Sequence, residues 1–196
     1  MHEIFSHRAK EFPEGVNPVD KALYLQLKCR IYRQQSGGTL DSIANLGVNV
    51  SNQIGAPLMA LKQVVSKYEK NSVVANLLWD DNRREEQIAA LFLFEDNLPQ
   101  NRVVQILEHC VNSEVAEYAG SQWIANRSDA NELLEMAFSS ESPMVQVAMI
   151  VASAKLLIMQ ERGMIQVTPF SKEYIMRRYE DRYCELVASR YRFKYE

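Results

Sequence analysis

The sequence predicts an all-α protein built as one stack of antiparallel helix pairs, and three observations predict it. Apolar residues recur at helical spacing along the chain, and no run of alternating apolar and polar residues competes as a strand. Residues that start and stop helices recur at short intervals, which favours antiparallel neighbours. The 196 residues include only 7 Gly and 6 Pro, few for a protein of many tight β-turns.

Asn17-Pro18 reads as an N-cap followed by proline in the first turn. It opens a helix over 19–35, apolar at Leu23, Leu25, Leu27 and Ile31, that stops before Gly37-Gly38. Thr39 caps a short helix with Ile43, Ala44 and Leu46 on its apolar side, ended by Gly47, and a loop runs on to Gly55. Pro57 opens a helix marked by Leu58, Leu61, Val64 and Val65. Asn71 caps a helix over 72–79, with Val74, Leu77 and Leu78 facing inward. A helix from Arg83 to Phe94 carries Ile88, Leu91 and Phe92, and residues 97–99 break it. The helix from Pro99 to Val111 carries Val103, Leu107 and Cys110 at helical spacing. Ser113 caps a helix reaching about Ala125, with Ala116, Ala119 and Trp123 on one face. Asp129 to Phe138 carries Leu133, Leu134 and Met136. Ser142-Pro143 opens a long apolar helix ending near Gly163, and Pro169 precedes one final helix from Lys172 to Arg190.

These are about ten helices of roughly 8 to 20 residues. From Pro57 they pair at intervals of roughly 40 residues, the period of HEAT-type repeats. The expected architecture is therefore a HEAT-like helical repeat superhelix, a compact irregular bundle being the alternative. One domain over 1–196 is expected, with capping helices in 1–50, repeats in 51–165 and a basic, aromatic capping helix in 166–196.

The formal net charge is −3, which excludes a globally basic nucleic-acid binder and leaves only a local patch for such contacts. Cys29, Cys110 and Cys184 are far apart, without ligand spacing, and read as buried free thiols of a reducing compartment. The N-terminal dodecamer has no apolar signal core. The longest apolar stretch, Met144 to Met159, is broken by Gln146, Ser153 and Lys155 and reads as too short to span a bilayer. A cytoplasmic protein with no membrane partner is expected. No glycine-rich phosphate loop, HExxH motif or metal cluster occurs, so no cofactor and no metal is expected.

Four short motifs follow in order. They are Gly55-Ala-Pro-Leu-Met-Ala-Leu-Lys62, Ala75-Asn-Leu-Leu-Trp79, Arg84-Glu-Glu-Gln-Ile-Ala-Ala90 and Glu114-Val-Ala-Glu117. Over about residues 55–125 they resemble the bacterial DNA alkylation repair family, the AlkD-type proteins. The resemblance implies HEAT-like repeats whose concave face holds duplex DNA, and a glycosylase that releases positively charged alkylpurines. Loss of such a base leaves an oxocarbenium-like sugar that a carboxylate stabilises, and aromatic faces contact the charged base. Active members use an Asp preceded four residues earlier by Trp. The match puts Glu117 and Ser113 at those places, so the carboxylate is one methylene longer and the aromatic is gone. The family's later Arg falls near Gln146 or Val147, and no Arg occurs between Arg127 and Arg162. Trp79 and Trp123 are the only tryptophans, so a further one expected in the last third is missing.

Helical spacing makes Glu114, Glu117 and Ser121 neighbours, turned away from Ala116, Ala119 and Trp123. They read either as a catalytic carboxylate pair in a cleft or as a solvated acidic face near a helix N-terminus. Trp79 and Trp123 continue apolar stripes and read as core, or as base-stacking platforms. Arg83 and Arg84 form a capping and salt-bridge cluster with Asp80 and Asp81, or contact phosphate. Residues 171–196 carry seven positive and five negative residues, which leaves a net −5 on the remainder. There Lys172, Arg177, Arg178, Arg182, Arg190, Arg192 and Lys194 interleave with Tyr174, Tyr179, Tyr183, Tyr191, Phe193 and Tyr195, either to grip phosphates or to seal the stack. Lys28, Arg30 and Arg33 form a second basic cluster with the same two readings. His109-Cys110 lacks a third group for a nucleophile. The expected partner is duplex DNA at an altered active site. The alternative is a protein partner on a non-catalytic scaffold.

Overall fold

A computed structural model describes residues 11–45, 47 and 50–196, so the expected role of Leu46 lies outside the described residues. Among the described residues the protein is all-helical, with no strand. Its α-helices are α1 Pro18–Tyr32, α2 Gly37–Asn45, α3 Leu58–Val65, α4 Ser72–Trp79, α5 Arg84–Leu91 and α6 Gln100–Glu108. They continue as α7 Ser113–Tyr118, α8 Ala130–Ala137, α9 Pro143–Glu161, α10 Pro169–Met176 and α11 Arg182–Arg192.

Local chemistry sets the starts. Asn17 accepts the Asp20 N–H at 2.8 Å, Asn71 the Val74 N–H at 3.0 Å and Asn112 the Val115 N–H at 2.9 Å, each satisfying an orphan donor. The cap of α7 is thus Asn112 rather than Ser113. α1 stops before Gly37-Gly38 as expected, but the two glycines themselves begin α2, so Thr39 lies inside that helix and is not its cap.

From α3 onward, apart from α4, which packs on α1 and α5, the helices sort into two sets. α3, α5, α7, α9 and α11 each touch the next of that series, and so do α6, α8 and α10. α1 covers the start of the stack by packing on α3, α4 and α5. Two helices anchor the core. Every residue of α5 is buried, and α9 touches α6, α7, α8, α10 and α11. α9 is 19 residues with a mean hydropathy of 1.5 over its most apolar window, long and apolar enough to cross a membrane. The expectation that it is too short therefore fails; 61% of that window is buried inside the protein.

Other differences have local causes. The helix after Ser113 does not run evenly to Ala125. It passes into a π-helical turn at Ala119–Trp123 and a 3₁₀ turn at Ile124–Asn126. Gly120 sits there so close to α9 that a Cβ would overlap the Ala148 carbonyl oxygen. The expected single C-terminal helix is two. Arg177 leaves α10 with extended backbone, and Asp181 caps α11 by accepting the N–H groups of Tyr183 and Cys184 at 3.0 and 2.8 Å. Those N–H bonds hold the Asp181 carboxyl below the usual range. In α1, Leu25 is exposed while Tyr24 is buried. Cys29 is exposed; Cys110 and Cys184 are buried as expected.

Candidate functional site

The site begins with the first turn of α5, four polar residues, Arg84-Glu85-Glu86-Gln87, on a helix covered from all sides. Each must find partners, because a buried polar group without one costs about 1–3 kcal/mol. Gln87 donates to the carbonyls of Trp79 and His109 at 3.3 and 2.9 Å and accepts the Val111 N–H at 2.7 Å. Glu85, fully buried, accepts the N–H groups of Ile54 and Ala56 at 3.1 and 3.2 Å. Arg84 donates to the Ala56 carbonyl at 3.0 Å and to Glu85 at 2.9 Å. The first and third motifs of the sequence therefore meet in one polar bracket.

Arg84 also reaches the acidic pair. Its Nε and Nη2 donate to the two carboxylate oxygens of Glu114 at 2.7 and 2.6 Å, a bidentate pair between α5 and α7. Glu117, one turn on, faces α11. Its Oε1 accepts the Tyr183 hydroxyl at 2.5 Å, and Arg190 Nη1 lies 3.1 and 3.2 Å from its two oxygens. Burial and then the Glu117 hydrogen bond push the Tyr183 phenol up. The Tyr118 phenol is pushed up as well, by burial first and by Glu114 second. Ala116, Ala119 and Trp123 are buried behind. Ser121 lies in the π-helical turn, whose wider spacing departs from the period that grouped it with the glutamates. The pair is thus brought to one surface, but each carboxylate is bound to its own arginine.

The other expected site residues scatter. Arg83 lies over the Tyr32 ring at 5.9 Å, and the expected pairing with Asp80 and Asp81 is replaced. Asp81 accepts from Lys28 at 3.0 Å and from the Tyr24 hydroxyl at 2.7 Å. Arg177 donates to the Phe138 carbonyl at 3.2 Å and lies over the Phe138 and Tyr179 rings. Arg178 pairs with Glu185 at 2.9 Å. Lys172 and Arg182 are exposed and, among the described residues, form no ion pair. Trp79 and Trp123 are core: Phe94 stacks on Trp123 at 4.8 Å and tilts against Trp79 at 5.9 Å. Burial pushes the Cys110 thiol up to about 12, and the exposed His109 ring bonds to the Gln105 carbonyl instead, so the two make no nucleophile.

Sequence reasoning missed Lys155. It is the one cation within the long apolar helix, a signal that it must find acceptors. Its ammonium donates to the Ser121 carbonyl at 2.6 Å and to Asn126 Oδ1 at 3.0 Å, tying α9 to the π-helical turn. Burial, then the charge of Lys62, hold its pKa below the usual amine range. Tyr183 and Arg190 belong to the basic, aromatic segment that the sequence singles out, but their link to Glu117 spans 66 and 73 residues and leaves no local pattern. A depression of about 650 Å³ between α4 and α6 includes neither glutamate. Among the described residues no group of His, Cys, Asp or Glu is placed to hold a metal ion. No family model, curated protein or solved structure matches this chain.

Proposed function

We propose that the chain is an alkylation-repair-like protein that binds duplex DNA along the α3–α5–α7–α9–α11 layer without releasing a base. One observation carries the non-catalytic part. Glu114 is held bidentately by Arg84, and Glu117 by Tyr183 and Arg190. A carboxylate neutralised by an arginine stabilises a sugar cation far less than a free one, because the field that the transition state needs is already cancelled. The duplex part is supported by the order of the four motifs. It is also supported by the two helix series, which suit a HEAT-like superhelix with the odd-numbered helices on one wall.

The test is a base-release assay on methylated duplex DNA with a salt-titrated binding measurement. Wild type and Glu117→Gln should both leave the base in place, and wild type should bind with an affinity that falls with salt. Release by wild type that Glu117→Gln abolishes would restore the glycosylase reading. A second reading, a scaffold for a protein partner, is favoured by the spent C-terminal cations. Arg178 and Arg192 pair with Glu185, Arg190 with Glu117 and Lys194 with Glu161. Absence of duplex binding at low salt would select it.

A further inference from the structure

We infer that the groove between α1 and α3 is a contact for the phosphate backbone of duplex DNA, a surface separate from the carboxylate pair on α7. The inference rests on the duplex-binding reading above and says where the phosphates sit. The groove is about 280 Å³, lined by Arg30, Arg33 and Lys67 with the amides of Gln34 and Gln63 beside them. Among the described residues no carboxylate lines it. Among the described residues none of the three cations forms an ion pair, in contrast to Arg178, Arg190, Arg192 and Lys194 at the other end of the chain.

Three like charges converging on one groove repel, and the chain as a whole is net −3, so overall charge does not produce this patch. Arg30 and Arg33 lie at the C-terminus of α1, where its dipole favours cations. That term dies away within a turn and does not require Lys67, beyond the end of α3, to line the same groove. The donors are also held in place. The Arg30 guanidinium lies 5.5 Å from the Tyr68 ring centroid, and Gln34 donates to the Arg30 carbonyl at 3.3 Å. Guanidinium, ammonium and amide N–H donors with no carboxylate among them match a phosphodiester, whose oxygens only accept.

The experiment is a salt titration of binding to a fluorescein-labelled duplex by wild type, Lys67→Glu, the triple variant Arg30→Glu/Arg33→Glu/Lys67→Glu, and Arg102→Glu. Arg102→Glu makes the same charge change as Lys67→Glu outside the groove. Lys67→Glu should lower the slope of log affinity against log salt by about 0.9, and the triple variant by about 2 to 3, since each phosphate contact contributes roughly 0.9. Arg102→Glu should leave the slope as in wild type. If the triple variant does not fold, the slope of Lys67→Glu alone decides. Wild-type slopes in the groove variants, or equal effects of Lys67→Glu and Arg102→Glu, would overturn the groove while leaving duplex binding intact. Failure of wild type to bind any duplex at low salt would remove both.

Discussion

Glu86 shows what a single buried carboxyl does to the pH dependence of the fold. It is 1% exposed. Burial, and to a smaller extent the charge of Asp81, push its pKa above the usual glutamate range against the opposing pull of a backbone hydrogen bond and of Lys28 and Arg83. A carboxyl raised in the folded state binds its proton more tightly there than in the unfolded chain. Its stabilising effect is complete below the ordinary glutamate pKa and is lost as pH rises through the folded value. Glu86→Gln removes that loss. The variant should gain on wild type as pH rises, by on the order of 1 kcal/mol near neutrality, measured as urea midpoints from acid to neutral pH. A gap that does not widen with pH would sink the argument. At this scale the sequence was readable where contacts are local. Asn17 and Asn71 cap as expected, and Trp79 and Trp123 lie in the core. It was not readable where a side chain chooses between partners. Arg84 stands three residues from Asp81 but pairs with Glu85 and with Glu114, 30 residues on.

Gly120 makes the corresponding case for an element. In an ordinary helix, Gly→Ala stabilises by about 0.5–1 kcal/mol, because alanine loses less backbone entropy on folding. Here the glycine lets the backbone of α9 come within contact of the π-helical turn, and an added methyl would meet the Ala148 carbonyl oxygen. Backbone on both sides cannot swing away as a flexible side chain could. Gly120→Ala should therefore destabilise by about 1–3 kcal/mol, the usual cost of overpacking, seen as a lower urea midpoint at an unchanged denaturant slope. A neutral or stabilising outcome would mean that α9 yields. Most helices were legible because their apolar period and capping residues agree. Two were not. A π-helical turn inserts its extra residue without disturbing the apolar residues on either side, so the run 113–125 reads as one even helix. In 169–192 the amphipathic pattern continues across Arg177–Asp181, and only the Asp181 cap marks the break.

At the scale of the molecule, the all-helical class and the approximate number of helices were legible, whereas the central role of α9 follows from contacts that no local pattern records. A repeat array in which each unit meets only its neighbours opens from its ends. α9 touches five helices, both C-terminal ones included, so it couples the last pair to the rest of the molecule. Eleven of its nineteen residues are buried, as is all of α5, while α2 buries none. Local opening energies follow such differences in buried contact. Native-state hydrogen exchange should therefore find the amides of α5 and α9 opening only with global unfolding, and those of α2 exchanging at far lower protection. The decisive readout is α11. If it were a terminal unit in a nearest-neighbour array, it would exchange well before α9. Because it packs directly on α9 and ties Glu117 of α7 through Tyr183 and Arg190, its inner amides should share the protection of α9 and lose it at the same denaturant concentration. Early exchange of α11 would show that the C-terminal pair opens on its own.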